Sequence, residues 1–112
     1  NPTYDSSTHW QNVMRGHAAA NIMPLLASNR IGKEVAPDGR HDIFYGRSFI
    51  ADYQGEKVQE MDRTEEGIRV HSFDMDEVQG LRRTWGLFRD RRPEMYGALM
   101  TLDGRVKSAA VN

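Results

Sequence analysis

Phe44-Tyr45-Gly46-Arg47-Ser48-Phe49-Ile50-Ala51-Asp52 is the stretch on which the fold of this chain turns. Together with Ile43 it is aromatic and apolar over ten positions, which predicts a buried strand, and Gly46 inside it marks a bulge or a close backbone approach. Asp52-Tyr53-Gln54-Gly55 is a turn sequence, so Glu56 to Met61 is expected to pair back as the second arm of a hairpin.

Upstream, Gly32 to Asp42 holds two glycines, a proline and several charges, and reads as a loop. Pro24 to Ile31 is a short apolar segment expected to form a buried strand. Before it, Trp10, Val13, Met14, His17, Ala18 and Asn21 recur at spacings of three and four, one stripe of a helix. Ser6, Ser7 or Thr8 can cap its start, and Pro24 sets its end, so the helix runs from about Ser7 to about Ile22. Downstream, Asp62 to Gly67 is a charged turn. Ile68, Val70 and Ser72 alternate with Arg69, His71 and Phe73 at the strand period. Asp74 three residues before Glu77 opens a second helix carrying Val78, Leu81, Arg82 and Trp85, which Gly86 and Pro93 end. The order helix, strand, hairpin, strand, helix is a layered α/β arrangement.

Composition narrows the chemistry. The 112 residues carry 15 Lys plus Arg against 16 Asp plus Glu, which argues against a general nucleic-acid binder. The absence of cysteine excludes a disulfide framework, a thiolate metal site and a thiol nucleophile within this sequence. No apolar run approaches the roughly 20 residues of a membrane span, and no basic segment leads into an apolar one at the start. The expectation is a cytoplasmic protein without membrane contact.

Candidate chemical groups each have an ordinary structural reading. His9 and His17 sit about 12 Å apart along one helix, too far to share an ion, so no metal is expected. Ser48 follows Gly46 as in a nucleophile elbow, but Ile50 replaces the second glycine and a strand continues, so its hydroxyl is expected to pair with backbone. Glu65 and Glu66 belong to a solvated turn; Asp74, Asp76 and Glu77 suit the positive end of a helix. Arg82, Arg83, Arg89, Arg91 and Arg92, with Trp85 and Phe88 between them, could form a nucleic-acid platform. With Asp90 and Glu94 among them they are expected instead to anchor an irregular segment through carboxylate and carbonyl contacts.

Longer motifs add a family. The segment His9 to Asn21 (HWQNVMRGHAAAN), then Met23 to Glu34 (MPLLASNRIGKE), Phe44 to Asp52, Gly55-Glu56, Phe73 to Asp76 (FDMD) and Trp85 to Tyr96 (WGLFRDRRPEMY) closely resemble the N-carbamoylputrescine amidases of the carbon–nitrogen hydrolase (nitrilase) superfamily. The resemblance runs from residue 1 to Gly104 and leaves 105–112 as a tail. It implies part of an αββα sandwich, about the C-terminal third of such an enzyme. It also implies hydrolysis of N-carbamoylputrescine to putrescine, carbon dioxide and ammonia, within polyamine biosynthesis and without a cofactor. The cysteine, glutamate and lysine of that chemistry lie upstream of the matched region in the family, and Lys33, Lys57 and Lys107 match no catalytic motif. This sequence therefore carries no catalytic residue. His17, Asn21, Asn29, Gly46, Ser48, Asp52, Arg89, Arg91 and Arg92 take structural or supporting roles by this resemblance. Trp10 and Met14 would lie near a subunit interface, making the complete enzyme a homo-oligomer with a small-molecule ureide as substrate. The alternatives are another N-carbamoyl or amide hydrolase of the superfamily, or a non-catalytic interaction module using Arg82 to Arg92.

Overall fold

The computed structural model describes residues 5–106. Helix α1 spans Ser7–Asn21. Its first turn is fastened by Asp5, whose Oδ1 accepts the Ser7 N–H at 3.0 Å, and it ends where Ile22 turns left-handed (φ 47°) with its N–H on the Ala18 and Ala19 carbonyls. Ser7, Gln11 and Ala18 are its buried residues, so the inward face runs along them rather than through the expected Val13 and His17, both of which are exposed. Trp10 and Met14 lie half-buried on the same side.

Strands β1 (Leu25–Ala27), β4 (Phe49–Ala51) and β5 (Lys57–Glu60) form one antiparallel sheet in the order β1-β4-β5. The β4–β5 turn is tied by Asp52, which accepts the Gln54 and Glu56 N–H groups on Oδ1, both at 2.9 Å. Helix α1 rests on this sheet. Ala18, Ala27, Phe49 and Ala51 form the core, with Trp10, Met14 and Leu25 packed around them. Trp10 meets Phe49 edge-on at 5.5 Å between centroids. Three small residues facing one large ring let the helix approach closely, and the Arg15 Nε donates to the Gly55 carbonyl at 2.6 Å.

Strands β2 (Ile31–Val35) and β3 (His41–Tyr45) pair separately as a two-stranded hairpin. This corrects the loop expected over Gly32 to Asp42. Pro37-Asp38-Gly39 is a tight turn, with Gly39 at φ 84° donating to the Ala36 carbonyl at 2.9 Å, and only residues 36–40 are loop. The single strand expected over Ile43 to Asp52 is divided between the two sheets, because Gly46 and Arg47 both adopt positive φ (61° and 59°) and redirect the chain. Of the Pro24 to Ile31 segment, Leu25–Ala27 is strand and Ile31 opens β2, while residues 28–30 between them belong to neither.

Ile68 to Phe73 belongs to no strand among the described residues, correcting the expected strand. Its alternating pattern lacks a neighbour's ladder, and Ile68 and Val70 are 84% and 75% exposed. Helix α2 (Met75–Trp85) follows as expected, capped by Asp74 accepting from Asp76 and Glu77 and stopped by left-handed Gly86. Val78 is its buried residue, at 1% exposure, whereas Trp85 is 63% exposed. Two 3-10 turns, Pro93–Met95 and Gly97–Met100, complete the described residues. The radius of gyration is 20.1 Å, against about 13 Å for a compact chain near this length. Among the described residues no helix is long and apolar enough to cross a membrane.

Candidate functional site

The Gly46-Arg47-Ser48 link between the two sheets is densely hydrogen-bonded. Gly46 donates to the Arg30 carbonyl at 2.9 Å and Arg47 to the Asp62 carbonyl at 3.2 Å, while the Ser48 carbonyl accepts from Met61 at 2.8 Å. A Cβ on Gly46 would fall 2.7 Å from Ile31 Cγ2 and 3.0 Å from the Asp62 carbonyl oxygen, so this glycine serves the close approach its position in the sequence implied. Ser48 and Asn29 bind each other. The Ser48 Oγ accepts the Asn29 N–H at 2.8 Å and donates to the Asn29 carbonyl at 3.3 Å, and the Asn29 Nδ2 donates to the Gly46 carbonyl at 2.9 Å. Ser48 is thus a backbone-pairing hydroxyl, and none of its hydrogen bonds goes to a histidine.

Arg47 reaches the other way, into α1. Its guanidinium donates to the Ser7 Oγ at 2.9 Å, the Gln11 Oε1 at 2.9 Å and the Glu60 Oε1 at 3.1 Å. Gln11, 3% exposed, returns its amide to the Arg47 carbonyl at 3.0 Å and to Glu60 at 2.9 Å. Lys57 donates to both Gln11 (3.1 Å) and Glu60 (2.6 Å). Burial works to raise the Glu60 pKa, but the hydrogen bonds from Lys57, Gln11 and Arg47 and the Lys57 charge outweigh it and bring it to about 2. Left-handed backbone at a non-glycine residue costs roughly 1–2 kcal/mol, and this network is what holds Arg47 there. A polar network of this kind, every member paired, joins α1, β4 and β5 more specifically than the small apolar core alone.

Asn29 and Ser48 also line a cleft of about 440 Å³. Leu26, Ile50 and Met61 form its apolar walls, and Glu65, Glu66 and Arg69 stand on its rim, with Arg69 paired to Glu65. A second cleft, also about 440 Å³, lies between the end of α1 and the Gly86 to Arg91 segment. Arg82 donates to the Asn21 carbonyl there, Arg89 pairs with Asp90, Arg92 with Glu94, and Arg91 stacks 3.6 Å over Phe88. Apart from that of Arg82, these contacts run between exposed residues one to three positions apart within the segment itself. Asn21 itself bonds back to His17 within α1 at 2.9 Å, and both are exposed. Asp52 closes the β4–β5 turn, distant from Asn29 along the strand.

The structure brings Asn29, Gly46 and Ser48 together and leaves His17, Asn21 and the arginines elsewhere. Sequence reasoning missed Ser7, Gln11, Arg47, Lys57 and Glu60. The available signal was a polar Gln11 four residues after Ser7 and seven before Ala18, on the face that is otherwise buried. Chemically, the described residues offer hydrogen bonding and positioning. Among them no group of three His, Asp or Glu side chains could hold a metal ion.

The carbon–nitrogen hydrolase family profile matches residues 1–83. The N-carbamoylputrescine amidase of Arabidopsis thaliana is 51% identical over 105 residues, which is 91% of this chain and 35% of that protein. The citrullinase of Francisella tularensis is 52% identical over 99 residues, 88% of this chain and 34% of that protein. A crystal structure of a carbon–nitrogen hydrolase from Helicobacter pylori G27 superposes with a TM-score of 0.73 at 32% identity, covering 87% of this chain and 34% of that one. The chain spans about a third of the length of the curated relatives it matches. With its helix laid on an antiparallel sheet, a second hairpin joined through Gly46, and a family match over most of its length, this chain belongs to the carbon–nitrogen hydrolase family and has an α/β nitrilase-type fold.

Proposed function

We propose that this chain is the C-terminal part, residues 1–104 with a short tail, of a cytoplasmic homo-oligomeric amidase that hydrolyses N-carbamoylputrescine. Identity of about half to an N-carbamoylputrescine amidase over 91% of the chain carries the proposal. A citrullinase is equally similar, so citrulline is the second substrate reading. Both molecules end in a ureido group on an alkyl chain. The reaction consumes one water and releases the amine, carbon dioxide and ammonia. Attack on the ureido carbon needs a nucleophile, an oriented base and donors for the developing oxyanion. This chain has no thiol to supply the first. Its part is scaffold: the Asn29–Ser48 pair and the sheet beneath it form a wall against which the rest of the enzyme closes. In this role Trp10 and Met14 face a subunit contact, and Arg89, Arg91 and Arg92 fix the chain's last segment.

The test joins this chain to the remaining two-thirds of the Arabidopsis amidase in place of the matching third. Ammonia release is followed with N-carbamoylputrescine and with citrulline. The joined enzyme is expected to turn over N-carbamoylputrescine faster, and the chain alone to release none above a no-protein blank. Turnover by the chain alone, or a folded joined enzyme inert toward both ureides, overturns the proposal.

A further inference from the structure

We infer that Arg47 is a positioning residue that couples helix α1 to the wall of the Asn29–Ser48 cleft. The inference rests on the proposed amidase reading for its kinetic consequence, while its structural part stands on geometry alone. Gly46 and Arg47 are consecutive left-handed residues, at φ 61° and 59°. Glycine adopts that conformation freely; arginine does not, and needs outside support. The support comes from α1 and β5, through residues that do not line the cleft. Ser7 and Gln11, 0% and 3% exposed, receive the guanidinium at 2.9 Å each, and Glu60 receives its Nε at 3.1 Å.

The backbone pinned in this way is the one that presents the cleft. The Gly46 carbonyl holds the Asn29 side chain at 2.9 Å, and the next residue after Arg47 supplies the hydroxyl that receives the Asn29 N–H at 2.8 Å. Arg47 does not itself line the cleft, whereas Asn29 and Ser48 do. It therefore acts through its neighbours. Gln11 closes the loop by donating to the Arg47 carbonyl at 3.0 Å, so side chain and backbone of one residue are gripped by the same helix position. A shift of α1 on the sheet reaches the Asn29–Ser48 backbone through this residue as well as through the Ala18–Ala27 packing.

Three variants of the joined enzyme separate the tether from the backbone strain. Arg47→Ala removes the guanidinium and keeps the strain. Arg47→Gly removes both, so it stays folded if Arg47→Ala does not. Arg47→Lys keeps the charge but loses the fork. Amide exchange at Asn29 and Met61 is expected to quicken about tenfold or more in the Ala and Gly variants, with α2 amides unchanged. The KM for the ureide is expected to rise roughly tenfold with kcat nearly preserved, and Lys to restore part of both effects. Unchanged Asn29 exchange in Arg47→Gly, or a uniform acceleration of all amides in both variants, overturns the inference. Should the unmutated joined enzyme hydrolyse no ureide, the amidase reading fails, and the exchange data still decide the role of Arg47.

Discussion

Separated from any covering partner, this chain is expected to self-associate or lose its tertiary structure at low concentration. It exposes 9230 Å², whereas a compact monomer of 12.8 kDa exposes about 6,300 Å². The excess is about 2,900 Å², and apolar atoms make up roughly 55–60% of a protein surface. The apolar part of that excess, about 1,600 Å², is comparable to the roughly 1,600 Å² that a standard protein–protein interface buries. The surface concerned includes Leu26 on the outer strand of its sheet, Val35 and Ile43 on one face of the β2–β3 hairpin, and Ile68, Val70, Trp85 and Leu99. Among the described residues strand β1 also has one edge without a partner, which invites pairing with a second chain. Sedimentation velocity and urea unfolding across a range of protein concentrations measure the effect. Association should raise the unfolding midpoint as concentration rises. A monomer at roughly 100 µM with a sharp, concentration-independent transition would refute the reasoning and make these residues a self-sufficient domain.

Replacing Phe49, the one large ring in a core of alanines, by Ala should lower the stability of the joined enzyme by about 3–5 kcal/mol in urea titrations, while Val35→Ala on the exposed hairpin should stay within about 0.5 kcal/mol. Because Glu60 titrates at about 2 in the folded chain, below its ordinary 4.5, its contribution is full above that ordinary value and is lost as pH falls from 4.5 toward 2. Glu60→Gln should therefore flatten the acid limb of a stability–pH curve, and an unaltered limb would show that the Lys57 and Arg47 contacts are not formed in solution. Gly46→Ala should destabilise strongly, since φ is 61° and Ile31 stands 2.7 Å from the new methyl, whereas Gly16→Ala, inside α1 with nothing within 4 Å, should stabilise by about 0.5–1 kcal/mol. Thermal melts of the two variants should move in opposite directions.

The local elements were legible in the residues themselves. Asp74 and Gly86 delimit α2 by capping chemistry that acts within three or four positions, and Asp52 closes a hairpin turn with bonds to residues two and four ahead. Pro24 and the Ala18 to Ala20 run likewise mark the end of α1, and the family motifs follow from the same local text. Pairing was a different matter. Ile68 to Phe73 has the alternation of a strand and forms none among the described residues, because a strand exists only where another supplies its ladder. Gly32 and Gly39 look alike in sequence, yet one sits in a strand and the other makes the turn, and only the Ile31–Val35 register with His41–Tyr45 separates them. The Arg47 network was invisible for the same reason. Its partners lie 36, 40 and 13 residues away at Gln11, Ser7 and Glu60, and no local pattern brings them together. Caps, turns and periodicity are energies of neighbouring residues, so the sequence determines them directly. Sheet membership, the buried face of α1 and the grip on Arg47 are energies of distant residues, which take effect only once the helix has settled on the sheet.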